Sequence, residues 1–310
     1  MVADHRAAFP RGIVPVVQTA FDSKGEIDPE SICRLTEDAI AAGASGFLAP
    51  VVASEVSCLS SAERRRILTL LQSVIGGRVP LIAGASSDDP AVCREMAAFA
   101  EELGAAAWLV AVPQSLYSQP QAVCPWFADV VRDSQLPLII QDLQFNGSGL
   151  SIEVIRDLQR QVPQFQGIKI ETVPAGPKYT AVREAFGPDF YIAGGWAVPQ
   201  MIEALDRGVD AMIPESSMVR VYQAICQHHE NGDRNRALHL FRALIPVLAF
   251  TNQELLTSIA FFKRLLVRKG IFTSDTMRMS GFQWDPYNRR IAEELIDEYL
   301  RLEQQLLVCG

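Results

Sequence analysis

The sequence predicts an α/β protein. A closed (β/α)8 TIM barrel occupies residues 1–232, and a C-terminal helical region packed on the barrel occupies residues 233–310. Three observations predict this. Short apolar runs alternate with amphipathic helical stretches, which implies parallel strands joined by helical crossovers. Eight such units fit into about 230 residues, the scale of a closed barrel. The first strand is not followed by the G-x-G-x-x-G turn that an open doubly wound sheet would carry.

The elements follow in order. Ile13 to Val17 is the first strand. Asp28-Pro29-Glu30 opens the helix from Ser31 to Ala42 with a cap, a first-turn proline and an acid, and Gly43 closes it. Gly46 to Ala49 is the second strand. Ser60-Ser61-Ala62-Glu63 is a capping box for the helix from Ser61 to Ile75, and Gly76-Gly77 stops it. Leu81 to Ala83 is the third strand, and Asp89-Pro90 opens a helix ending near Gly104. Ala107 to Ala111 is the fourth, with a helix from Ala122 to Arg132. Leu138 to Ile140 is the fifth, with a helix from Ser151. Gln166 to Thr172 is the sixth, with a helix from Tyr179 to Phe186. Phe190 to Ala193 is the seventh, with a helix from Pro199 to Arg207. Ala211 to Ile213 is the eighth, with a helix from Val219 to Glu230. Beyond Asp233 only helical periodicity remains, over Arg234 to Phe250, Gln253 to Lys269 and Tyr287 to Leu307. The apolar faces of these helices are wide, which predicts packing on the barrel and a subunit contact.

Composition narrows the function classes. A net charge of −8 argues against nucleic acid or an anionic membrane surface as partner. Met1 to Arg11 lacks the apolar core of a signal peptide, and no run reaches a membrane span. The six cysteines, at 33, 58, 93, 124, 226 and 309, are far apart and form no C-x-x-C. They read as free thiols of a cytoplasmic protein. The four histidines have no metal-site spacing, so no metal is expected; no cofactor is expected either.

Chemistry concentrates in Gln166-Gly167-Ile168-Lys169-Ile170-Glu171-Thr172. Ile168 and Ile170 mark a strand, and a lysine sits in its middle. A buried ammonium loses hydration that an apolar wall cannot replace, and desolvation favours the neutral, nucleophilic amine. Strand side chains alternate, so Lys169 and Glu171 share a face. From these residues alone, a catalytic pair and a solvated Lys–Glu ladder both stand. Inside a barrel the strand interior is dry, which favours Schiff-base chemistry. Catalytic groups of such barrels lie at the C-terminal strand ends. Those ends carry Gln18-Thr19, Val51 to Glu55, Pro113, Gln141-Asp142, Lys169 with Glu171, Gly194-Gly195-Trp196, and Pro214-Glu215-Ser216. Each has a plainer reading: Gln141 as a packing amide, Ser54 as a helix-approach cap, Gly194-Gly195 as a tight turn, Trp196 as rim packing. Cys58 reads as a small hydrophobe, and His228-His229 as favouring a helix dipole.

Gly167-Ile168-Lys169 matches the G-I-K motif of the dihydrodipicolinate synthase / N-acetylneuraminate lyase superfamily, and Glu63-Arg64 and Lys263 also fit. The chain resembles that superfamily over nearly its whole length, trailing helices included. The resemblance implies that Lys169 forms a Schiff base with a 2-keto acid and that the protein is a homotetramer. Tyr117 lies in the loop that, in the family, reaches a neighbouring subunit. Two motifs depart from the pattern. The family's carboxylate-binding G-[ST]-T-G-E loop is Val51-Val52-Ala53-Ser54-Glu55 here. Its Y-N-x-P, which supplies the tyrosine that shuttles protons, is Gln141-Asp142-Leu143-Gln144. An amide cannot be a general base.

Gln141-Asp142 with Lys169-Ile170-Glu171-Thr172 resembles the L-2-keto-3-deoxyarabonate dehydratase branch, as do Ser54-Glu55 and the Ser148 to Ser151 run. On that resemblance Lys169 is the Schiff-base lysine; Glu171, because it shares the lysine's face, is the candidate base and acid, and Gln141 the orienter of a substrate hydroxyl or a water. Ser54 and Ala53 hold the carboxylate, while Gly194, Gly195, Trp196 and Ser216 complete the substrate site. The expected partner is a small 2-keto acid. An aldolase of the same superfamily and a non-catalytic keto-acid-binding protein stay open as alternatives.

Overall fold

The computed structural model describes residues 9–309 except residue 197; the sequence expectations for Met1 to Ala8 and for the Cys309 side chain lie outside what is described. Eight parallel strands form one sheet: β1 (Gly12–Ile13), β2 (Phe47–Ala49), β3 (Leu81–Gly84), β4 (Ala107–Ala111), β5 (Leu138–Gln144), β6 (Phe165–Thr172), β7 (Tyr191–Gly194) and β8 (Ala211–Met212). Their order is β1-β8-β7-β6-β5-β4-β3-β2. A parallel bridge between Val16 and Leu48 closes β1 onto β2. There Val17 N–H donates to Leu48 O at 3.1 Å, and Leu48 N–H donates to Pro15 O at 3.0 Å. The sheet is the predicted TIM barrel.

Eight helices alternate with the strands: α1 (Pro29–Ala41), α2 (Ser61–Ile75), α3 (Pro90–Glu102), α4 (Pro120–Val130), α5 (Ile152–Gln161), α6 (Gly176–Phe186), α7 (Met201–Asp206) and α8 (Val219–Glu230). Their starts follow from local chemistry. Asp28 accepts from Ser31 N–H at 3.1 Å ahead of α1, and Asp89 accepts from Ala91 N–H at 2.8 Å ahead of α3. At α2 the capping box is reciprocal, with Glu63 N–H donating to Ser60 and Ser60 N–H donating to Glu63. Gly76 ends α2 at φ 56°, a left-handed conformation that glycine adopts without strain.

Two apolar layers result. Side chains such as Val14, Leu48, Ile82, Leu109, Ile139 and Ile213 fill the barrel interior. The opposite faces of the same strands, with Phe47, Trp108 and Ile168, pack under the helices. Three further helices follow, α9 (Arg234–Thr251), α10 (Leu255–Arg268) and α11 (Pro286–Cys309). Leu244, Phe261 and Ile296 place all three in the same apolar layer as the barrel helices. The division of the chain at residue 233 stands as our proposal about its organisation, because the core runs across it.

Most bounds fall within a few residues of the sequence expectation, and the differences that matter for the site are these. β1 is shorter than predicted because Pro15 has no N–H, although Val14 and Val16 still donate to Met212 O and Pro214 O. β5 runs four residues further and carries Gln141 and Asp142 within the strand. The turns after β2 and β4 hold 3-10 segments, Val52–Ser54, Val56–Cys58 and Gln114–Ser118, which the apolar pattern does not mark.

Candidate active site

Lys169 lies mid-strand in β6, opposite Gln141 of β5 and Ala193 of β7 in register. Ala193 and Ile139 belong to the interior layer, so the alternation that turns them inward turns Lys169, Glu171 and Gln141 inward too. Lys169 Nζ is 2.9 Å from Glu171 Oε1, and both side chains are about as buried as the core around them, at 4% and 5% exposed. Gln141 Nε2–H donates to Glu171 Oε2. A carboxylate cannot donate, so this contact fixes which end of the amide faces Glu171. Among the described residues Gln141 Oε1 is buried and has no partner. Lysine, carboxylate and amide therefore form one connected chain ending in a free acceptor. The solvated-ladder alternative does not apply to a pair this buried.

The Gln141-Asp142 pair splits across the strand. Asp142 points away from the interior, where it accepts from Tyr117 Oη–H at 2.9 Å and from Leu150 N–H at 3.1 Å and pairs with Lys178. Lys178 Nζ–H also donates to Ser148 O at 2.6 Å. Asp142 thus anchors the loop between β5 and α5. Tyr117 is bound to its own chain's Asp142, and burial raises its phenol above the ordinary tyrosine range.

The turn after β2 is held from below. Glu55, in left-handed backbone at φ 57°, is fully buried. Its carboxylate pairs with Lys263 of α10 and accepts from Arg278 N–H at 2.7 Å and Met279 N–H at 2.8 Å. Ser54 is fully buried as well. Its hydroxyl donates to Val17 O at 2.6 Å and accepts from Val51 N–H at 3.2 Å. The Ser54 side chain is therefore engaged with backbone and does not wall the cavity, whereas Val51, Val52 and Ala53 do. Val52 and Ala53 open a 3-10 turn, where N–H groups have no partner within the helix. The donors this turn offers a ligand are backbone amides.

The remaining predicted residues distribute as follows. Ser216 donates its hydroxyl to Gln18 Oε1 at 2.5 Å and does not itself wall the inner cavity. Gly195 is required by close approach: a Cβ there would lie 2.3 Å from Glu171 Oε1 and 2.7 Å from Lys169 Cε. Gly194 faces the Tyr179 hydroxyl and Met212 instead, behind the strand. Trp196, at φ 58°, lies 4.3 Å from Phe145 between ring centroids. The two rings border both an inner cavity of about 50 Å³ around Lys169 and an outer one of about 400 Å³. Cys58 and the paired histidines line neither. The five described cysteine side chains are unbridged. Among the described residues no cluster of three or more His, Cys, Asp or Glu is arranged to hold a metal ion.

The dihydrodipicolinate synthetase family matches residues 9–284. The chain belongs to that family. L-2-keto-3-deoxyarabonate dehydratase of Azospirillum brasilense is 26% identical over 274 residues, covering 86% of this chain and 87% of the dehydratase. 4-hydroxy-tetrahydrodipicolinate synthase of Bartonella quintana (strain Toulouse) is 29% identical over 186 residues, 60% of this chain and 63% of the synthase, so that match spans less than two thirds of the synthase. Among solved structures, dihydrodipicolinate synthase from Rhodopseudomonas palustris superimposes with TM-score 0.86 at 22% identity, covering 94% of this chain and 98% of the other. Sialic acid aldolase from Ruminococcus gnavus gives TM-score 0.86 at 18% identity, covering 96% and 99%. Both structural likenesses establish the fold.

For this dihydrodipicolinate synthetase family chain, sequence reasoning leaves several contributors to the cavity unassigned. Gln18 and Glu215 stood at strand ends without a role. Leu255, Ser258 and Phe262 of α10 also wall the inner cavity, so the C-terminal helices do more than pack on the barrel. Glu215 accepts from the Ser217 hydroxyl and N–H through one oxygen. Burial pushes its carboxyl above the usual carboxylate range.

Proposed function

We propose that this chain is a Schiff-base lyase that dehydrates a 2-keto-3-deoxy sugar acid. L-2-keto-3-deoxyarabonate, converted to α-ketoglutarate semialdehyde, is the substrate that the residue pattern and the likeness to the Azospirillum dehydratase over 86% of this chain favour. One observation carries the reading: the group hydrogen-bonded to the carboxylate beside Lys169 is an amide, Gln141, and not a phenol.

The chemistry follows from that arrangement. Lys169 attacks the C2 ketone, water leaves, and the protonated imine becomes an electron sink that acidifies C3–H. Glu171 shares the lysine's face and takes that proton. The enamine then expels the C4 hydroxyl, which leaves as water with a proton returned by Glu171. Proton transfers at C5, C3 and C4 convert the resulting double bond and the C5 hydroxyl to the aldehyde, and water hydrolyses the imine. Gln141 donates to Glu171 and keeps its free Oε1 for a substrate hydroxyl. The backbone amides of Val52 and Ala53 hold the carboxylate, and the Phe145–Trp196 pair walls the distal part of the substrate.

The test is product analysis on a panel of 2-keto-3-deoxy acids. Release of the dehydrated semialdehyde is expected; release of pyruvate would replace this reading with the aldolase alternative. We further propose the homotetramer, supported by the exposed Tyr287, Ile291, Leu307 and Val308 along α11. A monomer in sedimentation at micromolar concentration would contradict it.

A further inference from the structure

A 2-keto acid attached at Lys169 brings a carboxylate into the inner cavity, and that carboxylate needs hydrogen-bond donors. The turn after β2 offers few. In its Val51 to Glu55 stretch the one hydroxyl, Ser54, is engaged with Val17 O and Val51 N–H, leaving the amides at the head of the 3-10 turn. The missing donor lies in the segment that follows β1.

Gln18 follows β1 and is 1% exposed. The residues on either side of it are clipped to the turn: Ser54 Oγ–H donates to Val17 O at 2.6 Å, and Thr19 Oγ1–H donates to Ser54 O at 2.7 Å. This holds Gln18 beside the turn, and both wall the inner cavity. Gln18 Oε1 accepts from the Ser216 hydroxyl at 2.5 Å and lies 3.4 Å from the Ser216 N–H. A backbone N–H can only donate, so the oxygen end of the amide faces Ser216 and the NH2 end faces away. That Nε2 is buried and has no partner. Among the described residues it is the one unpaired buried side-chain donor belonging to a residue that walls this cavity. Folded proteins rarely leave such a donor unpaired unless a ligand or water completes it.

We propose that Gln18 is a substrate-binding residue whose amide, oriented by Ser216, donates to the carboxylate of the 2-keto acid held at Lys169. Ser216 is then a positioning residue, acting through Gln18. The inference rests on the keto-acid reading above and adds to it the donor that the Val51 to Ser54 turn lacks.

The test compares two carbonyl probes, pyruvate and its neutral methyl ester, by borohydride trapping on Lys169. Gln18→Leu keeps the bulk and removes the donor. A hydrogen bond to a charged group supports a shift of about tenfold or more in the pyruvate concentration giving half-maximal trapping. The methyl ester should shift far less. Gln18→Glu should weaken pyruvate further by placing a like charge beside it. Ser216→Ala should show the same split to a smaller degree, and it carries the test if Gln18→Leu does not fold. Wild-type trapping with an unshifted Gln18→Leu overturns this inference alone. Equal shifts for both probes also overturn it, because packing and not charge recognition would then explain Gln18. No trapping on Lys169 in the wild type with any keto acid overturns the keto-acid reading and this inference with it.

Discussion

Lys263→Met should destabilise the protein sharply, although the residue lies outside the catalytic chain. Lys263 and Glu55 are both fully shielded from solvent and form an ion pair. Lys263 Nζ–H also donates to Thr276 O at 2.9 Å, and the ammonium sits 4.4 Å from the Phe21 ring centroid. Burial holds the lysine below its ordinary pKa, a sign of how poorly the site would tolerate the charge without its partner. Removing one member of a buried pair costs about 3–5 kcal/mol, because the other is left uncompensated. With an unfolding entropy of about 2.1 cal/mol/K per residue, a chain of 310 residues then loses roughly 5–8 °C in Tm. Calorimetry on Lys263→Met, Glu55→Gln and the double variant measures this. The double variant should melt above Lys263→Met, since a carboxamide oxygen still accepts from the Arg278 and Met279 N–H groups and no charge remains buried. The reasoning fails if Lys263→Met melts with the wild type, or if the two single losses simply add.

Glu171→Gln should lower dehydration on the order of a hundredfold or more, the scale of a lost general acid–base group, while imine trapping on Lys169 persists. Near-full turnover in Glu171→Gln, with turnover lost in Gln141→Ala, would move the proton carrier away from Glu171. Glu215→Gln should raise Tm at neutral pH. Burial raises the folded pKa of Glu215 above its ordinary carboxylate value, so its contribution is most favourable below the unfolded value and is lost as pH rises through the folded one. Melting curves from pH 4.5 to 8 should flatten in the variant; an unchanged pH slope would remove Glu215 as the cause.

The barrel was legible because its signals are local and repeated. Caps such as Asp28-Pro29 and Ser60 with Glu63 set helix starts, and β-branched runs set strands. β5 was read short for a physical reason. Gln141 and Asp142 look like the end of an apolar run, yet each finds partners inside the fold, the Gln141 NH2 in Glu171 and the Asp142 carboxylate in Tyr117, Leu150 and Lys178. Lys169 and Glu171 were legible through alternation along one strand. Ser54 was a reasonable carboxylate ligand by residue type, but hydroxyl direction depends on which backbone groups come near, and Val17 lies 37 positions away in sequence. Gln18 shows the converse. Its free donor appears only when Ser216, 198 positions distant, fixes the other end of the amide. The α10 contribution to the cavity likewise needed the helix docked over the barrel mouth.

The central claim is that Lys169 forms the covalent imine. Incubation with a 2-keto acid and borohydride, followed by digestion and peptide mass measurement, tests it most directly. The account predicts one stable adduct, on the peptide containing Lys169, with no adduct and no turnover in Lys169→Ala. A stable adduct on any other lysine, or none with any keto acid offered, would contradict it.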